Sequence, residues 1–198
     1  MKWFARRRRD SPAPDTSAAG DNLAYAHQPA GRPTDASPLS ERTLTDSEPV
    51  PGHPSTLASR DTLAYTYWSA GRLAEAGSLF ERILADRERI LGRDHPSTLA
   101  SRDTLAYTYW SAGRLAEAGS LFEGTLADRE RILGRDHPST LASRNNLAGA
   151  YKSAGRLTEA TALYERTLTG AMHVLGSEHP LTLHVRANLE VLRDRLGG

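Results

Sequence analysis

The chain of 198 residues has no cysteine, which excludes disulfides, thiolate nucleophiles and cysteine-ligated zinc and fits a reducing compartment. Lysine is nearly missing as well. Lys2 and Lys152 are the only two, so arginine carries almost all the positive charge. No apolar run approaches the roughly 20 residues that span a bilayer. The opening MKWFARRRRDSPAP puts no apolar segment behind its basic run, as a secretory signal would. The sequence therefore predicts a cytoplasmic protein with no membrane partner. With 25 basic and 24 acidic residues, the formal net charge of +1 exerts no bulk pull on nucleic acid. There is no Gly-Lys dipeptide for a phosphate-binding P-loop, no Gly-x-Ser-x-Gly turn for a nucleophile and no His-Glu-x-x-His metal pair. These absences predict a protein that is not an enzyme and carries no cofactor or metal.

What the chain does have is repetition. The segment HPSTLASRDTLAYTYWSAGRLAEAGSLFE begins at His53 and returns verbatim at His95, HPSTLASR recurs at His137, and HPLTL follows at His179, each 42 residues on. A fixed period of this length means stacked supersecondary units that bury their apolar faces against one another. Residues 53–94, 95–136 and 137–178 are three full repeats, and 179–198 is a closing helix. The first two differ only at Arg82/Gly124 and Ile83/Thr125. Ahead of them, 21–52 reads as a degenerate repeat: Asn22-Leu23-Ala24-Tyr25 echoes Thr62-Leu63-Ala64-Tyr65, but Pro29, Pro33 and Pro38 interrupt its helices. Residues 1–20, basic and then rich in Ser, Pro and Ala, read as a disordered tail. A poorly capped first repeat predicts a weak, concentration-dependent homodimer.

Each repeat resolves into two helices. Pro96 suits a first helical turn and Gly113 a helix end, so helix A runs from Pro96 to about Ser111. Helix B then runs from Leu115 to Leu133, where Gly134 stops it. Leu115, Ala118, Phe122, Leu126 and Leu133 share one face of helix B, and Leu105, Ala106 and Tyr109 mark the apolar stripe of helix A. The closing helix carries its own stripe on Leu181, Val185, Leu189 and Leu192. The fold class is all-α, a solenoid of antiparallel helical hairpins.

Leu105-Ala106, Tyr109, Gly113-Arg114, Glu117-Ala118, Leu121-Phe122 and Leu133-Gly134, leading into His137-Pro138, resemble tetratricopeptide repeats of the 42-residue, kinesin-light-chain-like type found in actinobacterial regulatory proteins. The third copy is closer still, with Arg144-Asn145-Asn146-Leu147-Ala148, Tyr151 and Gly155-Arg156. The resemblance covers residues 53–198. It implies a right-handed superhelix whose inner groove, lined mainly by A helices, binds a peptide segment of a partner protein. The paired asparagines with which such grooves hold a peptide backbone stand here at Asn145-Asn146; the earlier copies have Asp61-Thr62 and Asp103-Thr104. Family members often join the array to a nucleotide-binding domain, so a detached sensory array of a larger signalling protein is the alternative to a scaffold.

The candidate partner-binding residues lie on the A helices. Asp103, Tyr107 and Trp110 stand at i, i+4 and i+7, away from the stripe of Leu105. The trio recurs as Asp61, Tyr65 and Trp68 and becomes Asn145, Gly149 and Lys152 in the third repeat. Two aromatics and a carboxylate per repeat suit a peptide with apolar and basic side chains, since Tyr and Trp anchor interfaces well. The third repeat, with Asn145, Asn146 and Lys152, suits backbone groups or an acidic side chain. The histidines before each proline are expected to cap helices: equivalent positions in stacked helices lie ~10 Å apart, too far to converge on one metal ion. Arg6 to Arg9 offer phosphate contacts, yet four arginines without aromatics or a basic folded face weigh against a nucleic-acid partner.

Overall fold

The computed structural model describes residues 54–197. The tail 1–20, the degenerate repeat 21–52 and the dimer contact expected from it lie outside the described residues. Within them are seven helices and no strand: α1 (Pro54–Ser69), α2 (Leu73–Leu91), α3 (Pro96–Ser111), α4 (Leu115–Leu133), α5 (Pro138–Ser153), α6 (Leu157–Val174) and α7 (Pro180–Gly197). The A helices α1, α3, α5 and α7 begin 42 residues apart, as the repeat demands, and each helix packs on the next.

The ends are built locally. The His95, His137 and His179 rings each accept the backbone N–H two residues on, through Nδ1 at 3.1 Å, and so cap α3, α5 and α7. Proline sits at the first helical position, where its missing N–H leaves no bond unmade. Gly113, at φ 75°, and Gly134, at φ 89°, occupy the left-handed region that a side chain would strain. The Gly134 N–H returns to the Glu130 carbonyl and closes α4.

The inner A helices α3 and α5 are buried over most of their surface. Helix α3 covers Thr98, Leu99, Ser101, Arg102, Asp103, Leu105, Ala106, Thr108 and Tyr109, because α2 lies on one flank and α4 on the other. That is a wider belt than the Leu105–Ala106–Tyr109 stripe. The B helices bury one face, with Ala118, Phe122 and Leu126 in the core and Leu115 half-buried. Leu133 departs from expectation: in the last turn of α4 it is 40% exposed, as is its neighbour Ile132 at 39%. On α7 the stripe of Val185, Leu189 and Leu192 is buried and Leu181 packs against it.

Candidate interaction face

Four rings on α1 and α3 form a ladder across two repeats. Tyr65 meets Phe80 of α2 edge-on with centroids 5.1 Å apart. Trp68 reaches Tyr107 of the next repeat at 6.4 Å, Tyr107 stands edge-on to Trp110 at 5.3 Å, and Trp110 meets Phe122 at 6.4 Å. The last rung crosses to α5, where a Cβ on Gly149 would come within 2.8 Å of Trp110 Cη2. Tyr65 is 36% exposed; Trp68, Tyr107 and Trp110 are half-buried and packed on the core. The expectation that these rings stand clear of the core is thus corrected. Large planar side chains span the gap between neighbouring A helices, and the absent Gly149 side chain makes room for one of them. Trp68 against Tyr107 and Trp110 against Gly149 cover the seams between repeats, and all four rings keep part of their surface accessible.

The carboxylates of the trio are committed elsewhere. Asp61 pairs with Arg87 of its own B helix at 2.5 Å, and Arg87 also donates to Ser101 in the next repeat. Asp103 pairs with Arg129 at 2.6 Å, and Arg129, 1% exposed, donates to Ser143. Burial pushes the Asp61 carboxyl up, and Arg87 only partly offsets it. A second set runs the other way. Arg102 of α3 binds Asp128 at 2.7 Å and reaches back to Glu88 at 2.9 Å, while Arg60 binds Asp86 and Arg144 binds Glu130. A buried ion is tolerated only with partners of opposite sign. The reading of Asp61 and Asp103 as contacts for a basic ligand therefore gives way to one of internal pairs. The sequence carried a signal for them: Asp and Arg recur 26 residues apart in the first two repeats, and the third loses both together, as Asn145 and Ala171.

In the third repeat Asn145 is 4% exposed, and its amide nitrogen lies 3.4 Å from Asn146 Oδ1. Lys152 lies farther along α5, half-buried, and donates to Asn188 Oδ1 of α7 at 2.6 Å. Away from these residues, a shallow cleft of about 390 Å³ opens between α3 and α4, lined by Leu105, Tyr109, Ala116, Glu117, Ser120 and Leu121. Its Tyr109 lies under the Arg114 guanidinium, 3.9 Å from the ring centroid, and donates its hydroxyl to Glu81 of the preceding repeat. Burial and the Glu81 carboxylate push this phenol up to about 12. Among the described residues no group of three or more His, Asp or Glu could hold a metal ion, and no helix is long and apolar enough to cross a membrane.

The tetratricopeptide repeat model matches residues 16–85, 62–123 and 104–173. No match was found to a protein of curated function. Two crystal structures of nearly identical TPR-like repeats, from a Podosopora anserina protein named for kinesin light chain, are similar to this chain. One is 34% identical with a TM-score of 0.75, covering 93% of this chain and 88% of that one. The other is 33% identical with a TM-score of 0.74, covering 94% and 90%. BtubC (BKLC) from P. vanneervenii shares the fold at 19% identity, with a TM-score of 0.71 over 91% of this chain and 72% of that one.

Proposed function

We propose, for a chain that belongs to the tetratricopeptide repeat family and is kinesin-light-chain-like, that its protein-interaction surface is the face of the A helices and that it takes an extended segment of a partner protein. The supporting observation is the run of ring contacts from Trp68 through Tyr107 to Trp110, which crosses from the first repeat to the second, with the partly exposed Tyr65 one turn away on α1. Equivalent side chains recur about one helix diameter apart, close to three residues of extended chain at ~3.3 Å each. A segment with apolar side chains at that spacing would meet Trp68 and Trp110 in the same way. Asp61 and Asp103, held by arginine, contribute no charge for a basic residue. Asn146 and Lys152, both half-buried, continue the surface as its polar part, and Asn145, buried in α5, drops out of it.

Peptides selected by display against the full chain supply the test. Replacing Tyr65 and Trp68, on the outermost described helix, by alanine should weaken a selected peptide tenfold or more in calorimetry if they are anchors. The melting temperature checks that the variant remains folded. Unchanged affinity, with amide shifts mapped to the B helices, would place the surface elsewhere.

A further inference from the structure

Arginine recurs at one place in the four A helices, as Arg60, Arg102, Arg144 and Arg186. The first three hold carboxylates: Arg60 binds Asp86 at 2.7 Å, Arg102 binds Asp128 at 2.7 Å and Glu88 at 2.9 Å, and Arg144 binds Glu130 at 2.6 Å. Arg186 of α7 is half-buried too, yet among the described residues it has no ion pair. In α6, Met172 stands where α2 and α4 supply Glu88 and Glu130. A partly desolvated guanidinium without a carboxylate is costly, and an incoming acid relieves it.

The same helix leaves apolar side chains open where its counterparts are covered. Leu183 takes the place of Leu99 and Leu141, which are 3% and 0% exposed, but is itself 44% exposed. Val191, two turns on, is 47% exposed. Leu183, Ala187 and Val191 stand at i, i+4 and i+8 and form one ridge of α7, and Arg186 and Glu190 form the ridge beside it. This face is not shaped for another B helix, because Glu190 occupies the place of Ala106 and Ala148, both 0% exposed. Glu190 is exposed and, among the described residues, has no ion pair either. An open cation, an open anion and two apolar side chains on one face make that face complementary to itself.

We propose that α7 binds α7 of a second copy of this chain, in an antiparallel two-fold contact that crosses at Ala187. The small Ala187 side chain lets the two axes approach to the ~8–10 Å of close helix packing. Two-fold symmetry then sets Leu183 against Val191 of the second copy and Arg186 against Glu190 of the second copy, each contact made twice. The second copy thus supplies the carboxylate that Arg186 lacks. One helix on one helix is a small interface, so the association is weak, with a Kd on the order of 100 µM. It joins two interaction faces in one particle and does not depend on what those faces bind.

Sedimentation equilibrium of the full chain from ~10 µM to ~1 mM spans the expected transition from monomer to dimer. Arg186→Glu and Glu190→Arg each set like charges against one another across the two-fold, and each should weaken the dimer tenfold or more. Their equimolar mixture should restore it, because the two acids of one chain then face the two arginines of the other. The double variant Arg186→Glu with Glu190→Arg should dimerise as well. Leu183→Ser should weaken the dimer and leave the thermal melt nearly unchanged. If Arg186→Glu fails to fold, Glu190→Arg and Leu183→Ser, both at exposed positions, decide alone. A strict monomer at the highest concentration would overturn the proposal. So would a dimer indifferent to all three single substitutions, which would put the contact outside α7. Weakened single variants that the mixture does not rescue would mean that the charges meet some other group, and the two-fold pairing would be wrong.

Discussion

Arg129 puts a full charge into the seam between the second and third repeats, where only 1% of it remains accessible. Its guanidinium is tolerable there because Asp103 lies 2.6 Å away and Ser143 accepts a further bond. Removing one partner strands the other, at about 3–5 kcal/mol for a buried pair. Arg129→Met should therefore lower stability by that order in urea unfolding, and adding Asp103→Asn should recover most of the loss. The third repeat already carries the neutral solution, Asn145 opposite Ala171. A double variant no more stable than the single one would mean that guanidinium packing, and not charge pairing, is what the seam requires. The residue scale is also where the sequence misleads most. The histidine caps were legible because cap and capped N–H lie two residues apart. The roles of Asp61 and Asp103 were not, because their partners lie 26 residues away on another helix, and a carboxylate on an amphipathic plot looks solvated until that helix is placed.

At the scale of the helix, the period and the Gly and Pro punctuation made all seven elements readable to within a residue or two. What each face touches was less readable, since an A helix wrapped by two B helices is buried beyond any single stripe. Two glycines in helices separate local propensity from packing. Gly124 of α4 is exposed, and a Cβ there would meet nothing within 4 Å. Gly124→Ala should stabilise the chain by ~0.5–1 kcal/mol through helix propensity alone. Gly149 of α5 has the same propensity to gain, but its Cβ would strike the Trp110 ring at 2.8 Å. Overpacking of this kind costs ~1–3 kcal/mol, so Gly149→Ala should be neutral or destabilising and should change Trp110 fluorescence. Thermal melts and emission spectra of both variants decide the matter. A stabilised Gly149→Ala with unaltered emission would show that the ring does not seal that seam.

The whole molecule contains a control on its own cooperativity. Helices α1 and α3 have the same sequence, PSTLASRDTLAYTYWS, but different neighbours. Among the described residues α1 packs on α2, whereas α3 lies between α2 and α4. The Arg60 side chain is 14% exposed against 5% for Arg102, and Thr66 is half-buried where Thr108 is 1% exposed. Intrinsic propensity is identical in the two helices, so any difference in protection comes from stacking, the nearest-neighbour term of a repeat array. In hydrogen exchange, the peptide shared by α1 and α3 has one mass and two origins. It should give a split isotopic envelope, with a slow half from α3 and a fast half from α1. A single envelope at all times would mean that the array opens as one unit. A partner lying along Tyr65, Trp68, Tyr107 and Trp110 would bridge the two helices and stabilise the outer one by mass action. On adding a peptide selected by display, the fast half should move toward the slow one. If the split persisted with the peptide bound, the aromatic ladder would be a seam and nothing more.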